Sequence, residues 1–431
     1  MARPLLWLAL LCVSLSSFAA CGLRLELTHV DAKDNCTVEE RLHRATERTH
    51  RRLASMGGVI APVRWAETQY IAEYHIGDPP QRAEAIVDTG SDLIWTQCVT
   101  CRPKCFSQNL PFYNYSRSLT VQAVSCNDTI CAVNSETQCT RDGKACAVLV
   151  SYGAGDIAGV LGTEVFTFRS EKVRLAFGCI IATDIAQGSL DGASGIIGLG
   201  RGALSLVSQL GDTKFSYCLT PYLRDTVNPS HLYVGASAEL SGNVPVTSVP
   251  FVKNPKEDPF NTFYYLPLVG MTVGNAKLAI PAEAFDLRQV APGVWAGGVL
   301  IDSGSPFTSL VDVAYQALGA ELARQLGASL VTPPAKVLDL CVARGNVSLV
   351  PPLVLHFGGG GDVVVPPENY WGPVDRATEC MLVFNAATRT NATLPMNETT
   401  IIGNYMQQNM HLLYDLGQGV LSFQPADCSS M

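Results

Sequence analysis

Two short segments of the sequence each place an aspartate at the end of an apolar run. The first is Ala85-Ile-Val-Asp88-Thr-Gly-Ser91, and the second is Val299-Leu-Ile-Asp302-Ser-Gly-Ser305. Such a segment puts a carboxylate on a tight loop at the edge of a core, with glycine allowing the turn. One loop of this kind is most simply an Asx-type turn. Two equivalent loops instead predict a site in which Asp88 and Asp302 face each other.

Paired carboxylates are suited to activating water. At hydrogen-bonding distance the two groups cannot both be charged at low cost, so they share one proton and titrate as a unit. The ionised member can take a proton from water while the protonated member donates to a scissile carbonyl oxygen. This chemistry hydrolyses peptide bonds without a metal, a cofactor or a covalent intermediate. The residues expected to hold the carboxylates in place are Thr89, Gly90, Ser91, Ser303, Gly304 and Ser305.

The surroundings of the two aspartates also repeat. Asp88 is followed 110 residues later by Gly198, at the end of Ser-Gly-Ile-Ile-Gly, and Asp302 is followed 101 residues later by Gly403, at the end of Thr-Ile-Ile-Gly. A repeat of this kind predicts two structurally related lobes. The length of 431 residues agrees, because it exceeds what one hydrophobic core normally organises.

Composition and local pattern predict a mainly β protein with few short helices. The chain is 47% hydrophobic and 16% charged, with 37 glycines and 25 prolines, which is typical of a turn-rich globular fold. Runs such as 162–168, 263–269 and 411–416 combine β-branched and aromatic residues between turn formers, as hairpin strands do. Helices are expected at 204–210 and 311–326, where Leu, Ala and Gln favour them.

The N-terminal segment predicts a processed leader. A basic start, a short apolar run and small residues indicate a signal peptide over residues 1–20, and the apolar run is shorter than a membrane span. The basic stretch 41–52 fits a propeptide, placed at about 21–65, that covers an acidic cleft; a solvated helix is the alternative. The lobes are then 66–240 and 241–431. Their acidic balance argues against nucleic acid as a partner.

Cysteines and glycosylation acceptor sites agree with secretion. The chain has fifteen cysteines, of which twelve lie from Cys98 onward. Behind a signal peptide they indicate six disulfides rather than a metal site. The six Asn-x-Ser/Thr sites, expected on exposed loops, are Asn35, Asn114, Asn127, Asn346, Asn391 and Asn397.

The sequence resembles the pepsin-like aspartic proteases, and among them the nepenthesin-type enzymes of plants, over everything that follows the leader. Segment 88–91 with Trp95 matches the first catalytic loop, and segment 302–305 matches the second. Gly198 and Gly403 match the glycines that close the two psi-shaped loops. The resemblance implies an all-β, bilobal acid protease fold, with two pseudo-symmetric β lobes and the active-site cleft between them.

The resemblance also implies a flap hairpin over the cleft. Tyr152 and Gly153 match the flap, and Trp95 is the expected hydrogen-bonding partner of Tyr152. The flap commonly reads Tyr-Gly-Asp-Gly-Ser in this branch, whereas Ala154 and Asp156 stand here at its third and fifth positions. These two departures bear on flap hydrogen bonding and on the preferred substrate residues.

Residues 98–146 resemble the cysteine-rich insertion that marks the nepenthesin branch. Sequence by itself leaves the connectivity of the cysteines open. The resemblance implies the pairs Cys98–Cys101, Cys105–Cys179, Cys126–Cys146, Cys131–Cys139, Cys218–Cys428 and Cys341–Cys380.

By resemblance, then, the chain is a secreted aspartic endopeptidase that cleaves extended peptide or protein substrates at acid pH. It is expected to be monomeric, without cofactor, metal, nucleic-acid partner or stable membrane insertion, and to reside in the extracellular space or apoplast, with the vacuole as an alternative. The competing hypothesis is an inactive or weakly active binding or inhibitor protein of the same fold. Such proteins commonly lose one aspartate of the pair, and both are present here. A serine or metal hydrolase has little support, since neither signature motif occurs.

Overall fold

The protein is described from a computed structural model. The structure describes residues 22–29, 40, 69–132, 135–152, 155–185, 189–223, 229–387 and 396–431. The predicted signal peptide, most of the predicted propeptide, Gly153 and Ala154 of the flap, and the acceptor sites Asn35 and Asn391 lie outside the described residues.

The regular structure in the described part of the chain is mainly β, with few helices, which confirms the predicted fold class. Its first fifteen strands are β1 (Leu23–His29), β2 (Tyr70–Ile76), β3 (Gln81–Asp88), β4 (Ile94–Gln97), β5 (Gln122–Ala123), β6 (Thr137–Cys139), β7 (Cys146–Tyr152), β8 (Gly155–Phe168), β9 (Glu171–Thr183), β10 (Gly195–Gly198), β11 (Lys214–Cys218), β12 (Ser230–Val234), β13 (Thr247–Pro250), β14 (Tyr265–Leu266) and β15 (Leu268–Val273). They are followed by β16 (Ala276–Lys277), β17 (Leu287–Ala291), β18 (Val294–Gly297), β19 (Val299–Ile301), β20 (Thr308–Leu310), β21 (Leu330–Val331), β22 (Cys341–Ala343), β23 (Leu353–Phe357), β24 (Gly361–Val365), β25 (Trp371–Pro373), β26 (Thr378–Met381), β27 (Val383–Asn385), β28 (Thr400–Ile402), β29 (Met410–Asp415) and β30 (Val420–Pro425).

Helices are short and lie where the sequence predicted the two main ones. The α-helices are α1 (Thr129–Ala132), α2 (Leu206–Leu210) and α3 (Asp312–Leu326). Helix α2 begins after Ser205, whose Oγ accepts a hydrogen bond from the amide of Ser208, and ends at Gly211 in the left-handed region. Helix α3 buries one face, on which the buried side chains recur at helical spacing: Ala314, Tyr315, Leu318, Leu322 and Leu326. Short 3-10 turns occupy Tyr115–Arg117, Gly235–Ser237, Ala282–Phe285, Gly327–Ser329, Val347–Leu349, Pro367–Asn369, Met396–Glu398 and Cys428–Ser430.

One large sheet crosses the expected boundary between the lobes. Its strand order is β13-β30-β29-β11-β12-β1-β2-β3-β10-β4-β9-β8-β7-β6, with β5 paired to β8. Three of these strands, β13, β29 and β30, come from the second half of the chain. The second lobe adds a five-stranded sheet (β14-β19-β28-β20-β27), two four-stranded sheets (β16-β15-β23-β24 and β21-β22-β26-β25) and the β17-β18 hairpin.

Each lobe contains the same arrangement of three strands. In the first lobe β10 pairs in parallel with β3, with Gly198 opposite Asp88, and antiparallel with β4. In the second lobe β28 pairs in parallel with β19 and antiparallel with β20. The sequence repeat therefore corresponds to a repeated structural unit that ends at an aspartate in each lobe.

Strand β1 belongs to the segment predicted as propeptide. It lies inside the large sheet, between β12 and β2, with Leu25 opposite Leu232 and Leu27 opposite Ala72. Both leucines are buried. Residues 23–29 are thus an internal strand of the sheet, and any processing of the leader has to leave or replace them.

The disulfides correct four of the six expected pairs. Cys218–Cys428 and Cys341–Cys380 are present as expected. In place of Cys98–Cys101, Cys105–Cys179, Cys126–Cys146 and Cys131–Cys139, the structure contains Cys98–Cys179, Cys101–Cys105, Cys126–Cys139 and Cys131–Cys146.

Strand pairing accounts for the different connectivity. Parallel strands β4 and β9 place Thr96 opposite Cys179, which brings Cys98 to a Cα distance of 5.5 Å from Cys179 and leaves Cys101 to the nearby Cys105. In the insertion the β6-β7 hairpin sets Cys139 opposite Cys146. The turn and helix that precede it then place Cys126 beside Cys139 and Cys131 beside Cys146.

The exposure of the glycosylation acceptor sites is mixed. Asn127 and Asn346 are exposed, whereas Asn114 and Asn397 are half-buried. The Oδ1 atom of Asn114 accepts a hydrogen bond from the amide of Ser116 at 3.1 Å. Within the described residues, no helix has the length and apolar character needed to cross a membrane.

Candidate active site

Equivalent strands deliver the two aspartates to the same place. Strand β3 ends at Asp88, and Asp302 directly follows β19. Each aspartate is only 1% exposed. The second strand is continued by a backbone bond from Asp302 N–H to the carbonyl of Ile402, at 3.0 Å. The apolar strands therefore place two carboxylates at the end of a buried sheet, as the sequence predicted.

Both carboxylates accept the same pair of hydrogen bonds. Asp88 Oδ1 accepts from the amide of Gly90 at 2.9 Å, and its Oδ2 accepts from Ser91 Oγ at 2.5 Å. Asp302 Oδ1 accepts from Gly304 N–H at 2.9 Å, and its Oδ2 accepts from Ser305 Oγ at 2.7 Å. Two donors on each group fix the plane of the carboxylate.

The two loops are also bonded directly to each other. Thr89 N–H donates to Ser303 Oγ at 3.0 Å, and Ser303 N–H donates to Thr89 Oγ1 at 2.9 Å. The hydroxyl of Ser303 continues to the carbonyl of Val87 at 3.0 Å. These buried cross-bonds join residues 214 positions apart and hold the two lobes in register at the site.

Gly304 shows how closely the carboxylates approach. A Cβ atom built on Gly304 would collide with Asp88 Oδ1 and would lie 3.2 Å from Asp302 Oδ1. Both inner oxygen atoms therefore border the same glycine, and any larger residue would separate the pair.

The expected flap contact is present. The indole Nε1 of Trp95 donates to the hydroxyl of Tyr152 at 2.9 Å. Tyr152 ends strand β7 and pairs with Gly155 at the start of β8, so it stands at the tip of a hairpin. Trp95 is fully buried and packs edge-on against Phe106. The buried tryptophan thus orients the flap tyrosine through this hydrogen bond.

Gly198 and Gly403 occupy equivalent crowded positions. A Cβ on Gly198 would strike the backbone of Asp92, and a Cβ on Gly403 would strike the backbone of Phe307. Each glycine lets the returning strand pass close to the segment just after the aspartate in its own lobe.

Amide side chains, which sequence reasoning missed, support the second loop. Asn404 Nδ2 donates to the carbonyl of Ser303 at 3.0 Å, and Gln407 Nε2 donates to the carbonyl of Asp302 at 3.2 Å. Gln69 Nε2 donates to the carbonyl of Gly304 at 2.6 Å. Of these three residues, only Asn404 could have been suspected from the sequence, because it directly follows Gly403.

Asp92 was missed as well, although it directly follows the first catalytic loop. Its carboxylate is 5% exposed and accepts hydrogen bonds from Thr262 Oγ1 at 2.5 Å and from Gly202 N–H at 2.8 Å. The pKa of Asp92 is raised above its usual value, and burial is the largest cause. The two hydrogen bonds act in the opposite direction, and the charges of Asp258 and Asp88 add to the increase. A further acid near the site, Glu136 of the insertion, has a pKa raised to about 8 by burial and then by the charges of Asp92 and Asp258.

Among the residues that the structure describes, no group of three or more His, Cys, Asp or Glu side chains is placed to hold a metal ion.

Two family models match the chain in succession. The model described as "Xylanase inhibitor N-terminal" matches residues 70–236, and the model described as "Xylanase inhibitor C-terminal" matches residues 263–425. The first contains Asp88 and the second contains Asp302, so the models divide the chain as the repeat does.

Curated relatives match nearly the whole chain. The chain is 35% identical to "Aspartic proteinase nepenthesin-1" of Nepenthes gracilis over 425 residues, which cover 95% of this chain and 91% of that protein. It is 34% identical to "Aspartic proteinase nepenthesin-2" of the same plant, with the same coverage. It is 33% identical to "Aspartyl protease family protein 2" of Arabidopsis thaliana, covering 95% and 86%.

Solved structures share the fold. The structure titled "Crystal structure of edgp" matches with a TM-score of 0.66 and 16% identity, covering 96% of this chain and 97% of that one. "Crystal structure of Basic 7S globulin from soybean" matches with a TM-score of 0.64 and 16% identity, covering 95% and 97%. At this identity the likeness concerns the architecture alone.

Proposed function

The chain belongs to the pepsin-like aspartic proteases of plants, the family that includes the nepenthesins, and we propose that it is an endopeptidase that hydrolyses peptide bonds at acid pH. One observation carries the proposal. Asp88 and Asp302 are buried side by side, each with an amide and a hydroxyl donor, on loops that are bonded to each other. A protein that only binds peptides has no need of this matched pair.

In the proposed reaction, a water molecule lies between the carboxylates. The ionised carboxylate takes a proton from the water as the oxygen attacks the scissile carbonyl carbon, and the protonated one donates to the carbonyl oxygen. The first carboxylate, now protonated, then donates its proton to the amide nitrogen as the C–N bond breaks, and the second takes a proton from a hydroxyl of the tetrahedral intermediate, which leaves as a carboxylic acid. The outer hydroxyls of Ser91 and Ser305 and the amides of Gly90 and Gly304 keep both groups coplanar throughout.

The flap is proposed to close over an extended peptide. Tyr152, oriented by Trp95, covers the substrate, and the surrounding aromatic residues favour apolar side chains near the cut. The backbone of Asp156 is tied to the rim of the lobe, because its carbonyl accepts from Asp184 N–H at 2.8 Å. The departures at Ala154 and Asp156 are expected to change which substrate residues are preferred, while leaving the hydrolytic chemistry unaffected.

The second candidate is a binding protein of the same shape. It is favoured by the inhibitor descriptions of the two matching family models. The two complete aspartate loops argue against it. A protein that does not hydrolyse peptides has no need to keep a pair of hydrogen-bond donors on each carboxylate.

Processing and location are further parts of the proposal. We expect a monomer, secreted through the signal peptide at 1–20 to the apoplast or vacuole, that is shortened on acidification by removal of a segment near 21–65. Because β1 is an internal strand, a cut within that segment leaves residues 23–29 bound until another strand replaces them. A full-length species with full activity at acid pH would contradict the propeptide.

Cleavage of an unfolded protein tests the function. The purified chain is assayed from about pH 2.5 to about pH 7, with and without pepstatin, beside Asp88→Asn and Asp302→Asn, each expected to lose at least about 10³-fold in turnover. Asp362→Asn, at an exposed carboxylate of the second lobe, is the matched control. Acid-dependent, pepstatin-sensitive cleavage lost in both variants supports the proposal. Absence of cleavage at every pH after acid processing would favour the binding protein.

A further inference from the structure

The two catalytic loops are joined by a second connection besides the Thr89–Ser303 cross-bonds. We propose that Asp92 and Thr262 are positioning residues whose hydrogen bond, through the chain segments they hold, sets the separation of Asp88 and Asp302. The inference rests on the proposed function, since the reaction it serves is hydrolysis at that pair.

The first end of the connection is the turn that follows Gly198. Leu199 N–H donates to the carbonyl of Asp88 and Gly200 N–H to the carbonyl of Ser91, both at 2.8 Å. The amide of Gly202 donates to Asp92 Oδ1 at 2.8 Å. The first catalytic loop and this turn are therefore held together by hydrogen bonds, and the carboxylate of Asp92 makes one of them.

The second end is the segment that enters the second lobe. Thr262 Oγ1 donates to Asp92 Oδ2 at 2.5 Å, and the carbonyl of Thr262 accepts from Arg201 N–H at 3.1 Å. Two residues later the hydroxyl of Tyr264 donates to the carbonyl of Leu199 at 2.7 Å. The carbonyl of Tyr264 accepts from Ile301 N–H at 3.1 Å, and Ile301 directly precedes Asp302.

A path made of hydrogen bonds and short chain segments thus runs from one aspartate to the other. It leaves the Asp88 loop through Asp92, crosses to Thr262, and reaches Asp302 through Tyr264 and Ile301. The Asp92–Thr262 bond is its only step between two side chains. It joins residues 170 positions apart in the sequence.

Two glycines pack closely against the carboxylate of Asp92. A Cβ on Gly200 would collide with Asp92 Oδ1, and a Cβ on Gly202 would collide with Oδ2. The same added atom on Gly200 would lie 2.7 Å from the methyl group of Thr262. Both glycines are thus part of a close-fitting cradle for this carboxylate and its partner.

A hydroxyl donor suits a protein that works in acid. When Asp92 is ionised, both of its oxygen atoms accept hydrogen bonds. When it is protonated, its own O–H can donate to Thr262, because a hydroxyl rotates and accepts as readily as it donates. The carboxylates whose charges act on Asp92 are Asp258 and Asp88, and the charge of Asp92 in turn acts on Glu136. The connection therefore persists in either protonation state, provided that residue 262 carries a hydroxyl.

Replacing the hydroxyl tests the proposal. Thr262→Val keeps the shape and removes the donor, so we expect kcat to fall about tenfold or more while KM changes less than about twofold, since misplaced reacting groups cost turnover. Thr262→Ser keeps the hydroxyl and is expected to recover most of kcat. Thr272→Val, which removes a hydroxyl bonded to His356 in the second lobe, is the control for loss of a partly buried threonine donor.

Calorimetric unfolding gives a readout that needs no turnover. In a cycle of Asp92→Ala, Thr262→Val and the double variant, the loss of stability in the double variant is expected to be smaller than the sum of the two single losses. Strictly additive losses would overturn the bond as a coupled pair. Wild-type kcat in Thr262→Val, or a failure of Thr262→Ser to recover it, would overturn the positioning role. If wild-type protein cleaves nothing while the cycle shows coupling, the proposed function fails and the positioning role fails with it, leaving only a structural link.

Discussion

The two catalytic loops are alike at the aspartate and differ four residues later. Each carboxylate accepts one glycine amide and one serine hydroxyl in the same arrangement. Asp92 then stands in the first lobe where Pro306 stands in the second. Symmetry is thus kept in the donors to the two carboxylates. It is lost in the supports, which only have to hold each loop still.

The supports differ in chemical character. The first loop is fastened by the buried carboxylate of Asp92, whereas the second is fastened by the neutral amides of Asn404 and Gln407. Across the described residues, the fully buried carboxylates are Asp302 in the second lobe and Glu84, Asp88, Asp92 and Glu164 in the first. Most of the buried carboxylates among the described residues therefore lie in the first lobe.

The largest expected effect tests the symmetry itself. Gly198→Ala and Gly403→Ala each force a methyl group into neighbouring backbone, so each should lower the free energy of unfolding by about 3 kcal/mol and sharply reduce activity. Chemical denaturation followed by fluorescence measures the change.

Gly319→Ala is the matched control for these substitutions. It lies inside α3 with no atom within 4 Å of the added Cβ, and it should stabilise the protein by up to about 1 kcal/mol. If alanine were tolerated at one of the two loop glycines but not at the other, the two positions would not be structurally equivalent.

The next effect concerns pH and the first lobe. Glu164 is fully buried, and its carboxylate accepts from the hydroxyls of Tyr113, Ser118 and Thr120 and from the amide of Val165. Burial alone would raise the pKa of Glu164, but these hydrogen bonds lower it below the usual 4.5. A lowered pKa in the folded state contributes stability above that value, and the contribution is lost as the pH falls.

Glu164→Gln should therefore cost about 2 kcal/mol at neutral pH, and the difference from wild type should shrink below about pH 4.5. Thermal unfolding at a series of pH values measures it. Glu239→Gln, at an exposed carboxylate of the first lobe, should show neither effect. A cost that stays constant with pH would argue against the ionised network.

The smallest effect concerns the flap, which only the first lobe provides. Trp95→Phe keeps the aromatic packing but removes the donor to Tyr152, and a lost neutral hydrogen bond of about 1 kcal/mol corresponds to roughly a fivefold loss in kcat/KM. Peptide hydrolysis kinetics measure it. Trp295→Phe, which removes a comparable bond to Glu257 in the second lobe, should leave kcat/KM unchanged.

Local signals in the sequence predicted the site's centre well. The two Asp-Thr/Ser-Gly-Ser segments, the glycines that follow them and the helices at 206–210 and 312–326 are all encoded within a few neighbouring residues. The Trp95–Tyr152 contact was inferred from the family resemblance, and the structure contains it.

Long-range partners were beyond the reach of such signals. Thr262 meets Asp92 across 170 positions, and Asn404 meets Ser303 across 101, so nothing in either local sequence marks the contact. The expected disulfide pairs of the insertion were wrong for a related reason. Four of them meet around one hairpin, and strand register, which spacing does not reveal, decides which of them pair.

The large sheet has a consequence for how the chain is made. Strand β29 pairs with β11 and is itself covered by β30, whereas β1 lies on the far side of β12 in the same sheet. As the polypeptide leaves the ribosome, the first lobe is synthesised long before the strands that cover the edge of β11 exist. Until residues 410–425 emerge, that edge is an unpaired, aggregation-prone template. Folding of the large sheet is therefore completed only when residues 410–425 have been synthesised and can pair with β11.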